Sequence, residues 1–241
     1  MINFRNVYLS SIGKILKKPF FYFISVGGIL VSFLVTIVIP AISNVGISGY
    51  YESSAWTHIV FAAYIVIIAI ISAVFGGMNA INNEKIYLLS KPIKRSTFLF
   101  AKCLSSLTLA VIISFICSFI LLCVALVEWT KKHEIVFDTK HGNNAASIFI
   151  SLTTICCYCT ICTTIWSYVF KQGYSVILFV CLVLIYAVAF PLMDNDAIDR
   201  SDLGDLPRLL FVTLPIGIYL FLTIIFSSIG SWIFMKSEVE S

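Results

Sequence analysis

Charge is scarce in this chain. Only 12% of its 241 residues are Asp, Glu, Lys or Arg, while 60% are hydrophobic, against roughly 45–50% apolar in soluble domains. A soluble core of this size has nowhere to hide that much apolar surface, and the mean hydropathy of +1.01 reads as an integral membrane protein. No polar stretch is long enough to fold alone, so one membrane domain over 1–241 is expected. The Gly-x-x-x-x-Gly-Lys-Ser/Thr phosphate loop is missing, which excludes ATP hydrolysis on this chain. Ionisable residues are also missing from the middles of the apolar runs. A charge at mid-bilayer costs about 2.5–3.5 kcal/mol and is kept where function requires it. Their lack argues against a proton-coupled carrier, and the lack of a polar lining argues against an ion channel. Nor is there a paired acid, base and nucleophile at credible depth for a membrane enzyme. The first residues carry no short apolar region with a small-residue cleavage site, so a cleaved signal peptide is not expected.

Two patterns invite chemistry and lose it on inspection. Cysteines at 103, 117, 123, 156, 157, 159, 162 and 181 fall within or beside apolar runs, not in a long loop where disulfides persist. Cys156, Cys159 and Cys162 recur at a spacing of three, but no basic neighbour is at hand to favour the thiolates a metal needs. They read as small packing residues, and no metal site is expected, the two loop histidines His133 and His141 included. Gly46-Ile47-Ser48-Gly49 matches the Gly-x-Ser-Gly of rhomboid proteases. A serine nucleophile needs a base within hydrogen-bond reach, and the last apolar run contains no histidine.

What is present is a series of apolar runs, each near the roughly 20 residues that cross hydrocarbon. Residues 2–18 form a basic amphipathic helix, with Phe4, Val7, Tyr8, Ile12 and Ile15 opposite Asn3, Asn6, Ser10, Lys14 and Lys17. Such a helix lies in the membrane interface. Spans follow at about 20–42, 58–78, 101–127, 145–170, 174–193 and 216–235. The domain map is therefore an interfacial helix at 1–19, spans 1–2 at 20–78, a connecting loop at 79–100, spans 3–4 at 101–170 and spans 5–6 at 174–235. Residues 128–144 read as a polar external loop, and 194–205 as an acidic one. Asp205 and Pro207 give a helix start signal, so a short external or re-entrant helix is expected near 206–213, before the sixth span. The fold class is an all-α membrane protein with six transmembrane helices.

Lys and Arg are divided unevenly. Eleven of the sixteen fall on one side of this layout: Arg5, Lys14, Lys17, Lys18, Lys85, Lys91, Lys94, Arg95, Lys102, Lys171 and Lys236. Lys131, Lys132, Lys140, Arg200 and Arg208 fall on the other. By the positive-inside rule both termini and the 79–100 loop are cytoplasmic.

That loop holds the most distinctive stretch, Asn82-Asn83-Glu84-Lys85-Ile86-Tyr87-Leu88-Leu89-Ser90-Lys91-Pro92-Ile93-Lys94-Arg95. Ile86, Leu89 and Ile93 fall near one side of a short helix, which Pro92 should stop. Glu84, then Leu88-Leu89-Ser90-x-Pro92-Ile93-x-Arg95, then Lys102 entering a span, resembles the loop after the second helix of ABC-2 type transporter permeases. The local match covers about twenty residues; the six-span layout covers the whole chain. The resemblance implies a cytoplasmic coupling helix between spans 2 and 3 that docks on a separate ATP-binding subunit through Glu84, Lys85, Ile86, Tyr87, Leu88 and Leu89, with Lys91 and Arg95 as electrostatic support. ATP and Mg would then be bound by that partner and no cofactor by this chain. It further implies a second copy or a related permease, a bacterial plasma membrane, and a hydrophobic or amphipathic cargo. Small permeases of this kind resemble exporters of amphipathic peptides, such as phenol-soluble modulins, and bacteriocin-immunity transporters. Nucleic acid is not an expected partner. The competing reading is a non-transporting membrane scaffold or immunity factor.

Overall fold

Pro19 sets the first boundary of the fold. Its ring disfavours the α region at the residue before it, and Lys18 is extended at φ −81°, ψ 124°. Helix α1 (Phe4–Leu16) therefore ends there, and α2 (Pro19–Phe33) begins with the proline in its first turn, where a missing N–H is no loss. The computed structural model describes residues 4–39, 54–79, 94–132, 139–170, 172–197 and 206–236. Within them, a π turn at Leu34–Val38 continues α2, and α3 (Ser54–Asn79), α4 (Arg95–Lys132), α5 (Thr139–Val169), α6 (Gln172–Ala197) and α7 (Leu206–Lys236) follow. No strand occurs among the described residues, so the architecture is all-helical.

Among the described residues four helices carry apolar stretches long enough to cross a membrane: Pro19–Val38, Arg95–Ile120, Phe149–Val169 and Ile216–Lys236. Shorter apolar stretches run over Ala62–Met78 in α3 and Gly173–Ile185 in α6. This is a membrane-protein-like helical bundle.

The bundle is built around α3 and α5. Of the apolar window of α5, 72% is buried, against 22% for α2 and 17% for α7. Tyr64, Ile65, Ile68, Ala69, Ile71, Ala73 and Phe75 of α3 are buried together with Leu152, Ile155, Cys156, Tyr158, Cys159 and Cys162 of α5. The two helices touch at backbone distance. A Cβ added to Gly76 would lie 2.7 Å from the Thr160 carbonyl oxygen and 3.1 Å from Cβ of Thr163. Where α7 meets α5, Gly230 instead makes room for the side chains of Ile165 and Trp166. Small residues at crossings are how helices associate in lipid, where no hydrophobic force separates them from the tails. The outer faces of α2, α6 and α7 expose Phe23, Tyr174, Ile185, Phe221 and Ile224, far more apolar surface than a soluble monomer shows.

The amphipathic pattern of α1 is realised. Ile15 is buried and Phe4, Val7, Tyr8 and Ile12 are half-buried, while Asn6, Ser10, Lys14 and Lys17 are exposed. The inward face packs on α4, with the Phe4 and Phe100 rings 5.8 Å apart and the Tyr8 hydroxyl 3.4 Å from Oγ1 of Thr108.

The helices differ from the sequence expectation at their ends. The 31-residue α7 is continuous from Leu206 to Lys236, so the separate short helix at 206–213 is instead its first two turns. A proline inside a helix loses one backbone bond and crowds the preceding turn, and at Pro215 and Pro191 the helices nevertheless continue, as helices packed in a bundle can. Residues 128–132 and 139–144, expected as loop, are helical, as are Asp194 and Asp196. Residues 95–100, assigned to the connecting loop, form the first turns of α4. Once an apolar run has nucleated a helix, each further residue adds a bond, so Glu128 and the lysines after it simply prolong it. With 38 residues, α4 is about 57 Å long at 1.5 Å per residue, well beyond the roughly 30 Å of hydrocarbon.

Gly76→Ala should lower stability by about 1–3 kcal/mol, the usual effect of overpacking, and Gly76→Leu should abolish monodisperse protein in detergent. Gly27, with nothing within 4 Å of an added Cβ, is the control. Gly27→Ala should be neutral or gain up to about 1 kcal/mol from helix propensity. Thermal unfolding midpoints of the purified variants check both.

Candidate partner face at the basic end

Successive helices alternate in direction, which gathers several helix ends at one face. The start of α2 meets the end of α3, where Nζ of Lys18 donates to the Met78 carbonyl at 2.7 Å. The start of α4 meets the end of α7, where Nη1 of Arg95 donates to the Met235 carbonyl at 3.1 Å. Both bonds place a cation on the last carbonyls of a neighbouring helix, where those groups lack an intrahelical partner and the helix dipole favours positive charge. Each is a clasp between two helix ends.

Behind the clasps sits an aromatic knot. Phe98, Leu99, Ile165, Tyr168 and Phe234 are buried together, with ring centroids 5.9 Å apart for Phe98 and Tyr168 and 5.5 Å for Tyr168 and Phe234. It joins α4, α5 and α7. Lys102 is buried at its edge, with Nζ 5.6 Å from the centre of the Phe98 ring. Lys236 lies 4.3 Å over Trp232, a cation–π contact.

The face is basic. Lys14, Lys17, Lys94 and Lys236 are exposed there. The acids among the described residues, Glu128, Asp194 and Asp196, all lie in the last turns of α4 and α6, at the other end of the bundle. Asn79 and Lys94, which bracket 80–93, both belong to the basic face. The expected docking residues Glu84, Lys85, Ile86, Tyr87, Leu88, Leu89 and Lys91 lie outside the described residues. Arg95 is the first residue of α4 and carries one of the clasps. The clasp made by Lys18 was not anticipated; its signal in the sequence is Lys followed by Pro, a cation fixed at a helix start.

Above this face the interior is hydroxylic. Oγ of Ser106 and Oγ1 of Thr164 join α4 to α5 at 2.9 Å, and Ser114 donates to Sγ of Cys156 at 3.5 Å. Thr160 and Thr164 donate to the carbonyls of Cys156 and Thr160, each at 2.7 Å. Among the described residues no three His, Cys, Asp or Glu side chains are grouped to hold a metal ion. Between α4 and α5 a recess of about 90 Å³ is lined by Ser114, Phe115, Ser118, Phe149 and Thr153, among others. It is well below the roughly 300–1,000 Å³ of pockets that hold drug-sized ligands.

Arg95→Gln removes the cation from the end of α7. Amide exchange over 232–236 should accelerate about two- to fivefold, the kinetic equivalent of the 0.3–1 kcal/mol that a cation contributes at a helix end, with exchange in α5 unchanged. No family model, curated protein or solved structure matches this chain.

Proposed function

We propose that the chain is the membrane subunit of an ATP-driven exporter of the ABC-2 type. In this reading it crosses a bacterial plasma membrane six times, with α2 to α7 as the spans and both termini on the cytoplasmic side. Its substrate is hydrophobic or amphipathic, a peptide being the best fit. The energy comes from a separate ATP-binding subunit that binds ATP and Mg. Two copies, or one copy and a related permease, enclose the path.

The observation that carries the reading is the bracketing of 80–93 by Asn79 and Lys94 at the basic face. A motor gripping Glu84, Lys85, Ile86, Tyr87, Leu88 and Leu89, supported by Lys91 and Arg95, would pull directly on α3 and α4. Through the clasps of Lys18 and Arg95 the same pull reaches α2 and α7. A single attachment point thus acts on four helices, which is what exchange between inward- and outward-facing arrangements requires. The excess of lysine and arginine at this face supports a cytoplasmic orientation.

Glu84→Lys should leave insertion and thermal stability unchanged while removing substrate-stimulated ATP hydrolysis by the co-reconstituted ATP-binding subunit, a loss of about tenfold or more for a charge reversed at a docking contact. Unchanged hydrolysis and export would reject the docking assignment. A topology reporter inserted after Tyr87 tests the orientation, and an external signal would end the reading altogether. A chain that neither binds nor stimulates an ATP-binding subunit would be a membrane scaffold or immunity factor instead.

A further inference from the structure

The recess between α4 and α5 lies toward the end of the bundle away from the basic face. Its lining runs from Val111 to Ser118, late in the apolar stretch of α4, and from Phe149 to Cys156, early in that of α5. Phe115 and Phe149 are both exposed and meet edge to face, with ring centroids 5.5 Å apart. They form the rim. Ile112, Ile116 and Phe119 beside them on α4 are exposed as well, so the recess is reached from the bilayer.

Its walls are apolar at Val111 and Leu152, but three hydroxyls also line it. Two of these already donate, Thr153 to the Phe149 carbonyl at 2.8 Å and Ser114 to Sγ of Cys156 at 3.5 Å. Their oxygens keep lone pairs with which to accept. Ser118 is different. It is only 7% exposed, lines the recess, and makes no hydrogen bond among the described residues. Helical serines ordinarily bond back to a carbonyl of the preceding turn, as Ser105 and Ser106 of the same helix do. A hydroxyl left unpaired in hydrocarbon costs free energy, and an occupant that accepts from Ser118 recovers it.

Size and lining decide what that occupant is. An apolar cavity of about 150 Å³ takes up benzene, so one of about 90 Å³ has room for roughly four non-hydrogen atoms. No charged side chain is among the lining residues, so an ion would lose its water without compensation. An alkane would fill the space and leave Ser118 bare. A small neutral molecule with a hydroxyl fills it, accepts from Ser118, and has Ser114 and Thr153 at hand to receive its own proton.

We propose that this recess is a binding site for a short-chain alcohol drawn from the bilayer. The alcohol's hydroxyl bonds to Ser118, and its alkyl body packs between Phe115, Phe149 and Leu152. An occupant there touches α4 and α5 at once and adds to the few bonds that join them. The site does not depend on the transporter reading, because its readout is occupancy and not transport.

The test is X-ray diffraction from crystals of the full chain soaked in graded concentrations of 2-bromoethanol, whose bromine marks the alkyl end by its anomalous signal. A bromine peak in the recess is expected. Ser118→Ala should raise the concentration for half occupancy about two- to tenfold, the equivalent of one net hydrogen bond. Bromoethane, which has the same alkyl body and no hydroxyl, should respond to that substitution hardly at all. The absence of a peak in the original chain, a result that needs no variant, would overturn the proposal. So would equal occupancy by 2-bromoethanol in Ser118→Ala, or an equal loss for both probes, because the recess would then be an apolar gap indifferent to the hydroxyl. Acyl-chain density that 2-bromoethanol does not displace would overturn it as well.

Discussion

In hydrocarbon a hydroxyl or carbonyl without a partner has no water to turn to, and this constraint organises the bundle. Serine, threonine and cysteine are concentrated on the buried faces. A few of the hydroxyls there, such as those of Ser72, Thr163, Ser167 and Ser175, make no hydrogen bond among the described residues, but many return to a carbonyl one turn earlier. Thr154, Thr160 and Thr164 do so along α5, Ser105 and Ser106 along α4, and Ser25, Ser32 and Thr36 along α2. Self-satisfied hydroxyls are small and neutral toward their neighbours, so helices can approach closely without needing matched partners. The few bonds that do cross, such as Ser106 to Thr164 and Trp166 Nε1 to the Phe226 carbonyl at 3.1 Å, then fix which helix faces which.

The same logic explains what was legible in the sequence. The inward stripe of α1 followed from Phe4, Val7, Tyr8, Ile12 and Ile15, because a helix half in contact with the bundle and half outside it must alternate. Pro19 announced a break and the structure has one. Centrality was less visible, since hydropathy runs the wrong way in lipid. The outer α2 has a mean hydropathy of 2.3 over its apolar window, and the central α5 only 1.6. The true signal was the Thr, Ser and Cys content of 151–167, of which the cysteines alone read as packing residues in the sequence. The π turn was invisible because Leu34, Val35, Ile37 and Val38 are apolar on every side and give no register. Helix overhangs such as 128–132 were missed because polarity marks where a membrane ends, not where a helix ends.

Of the candidate site, the sequence supplied the charge pattern and the structure supplied the mechanics. Counting cations had already put Lys18, Lys94, Arg95 and Lys236 on one side. That Lys18 and Arg95 each reach a helix-end carbonyl follows only from seeing α3 and α7 finish beside them. A carbonyl has no proton to gain, so neither clasp is released by acidifying the medium, as a carboxylate partner would be.

The crossing at Gly76 divides the labour among the helices. With the α3 backbone seated against the Thr160 carbonyl and the backbone of Thr164, this pair has no slack to slide or part without breaking contact along its whole length. It behaves as a stator. Any displacement that leaves this crossing intact falls to α2, which packs only loosely on α3 and α4, turning beside a fixed central post.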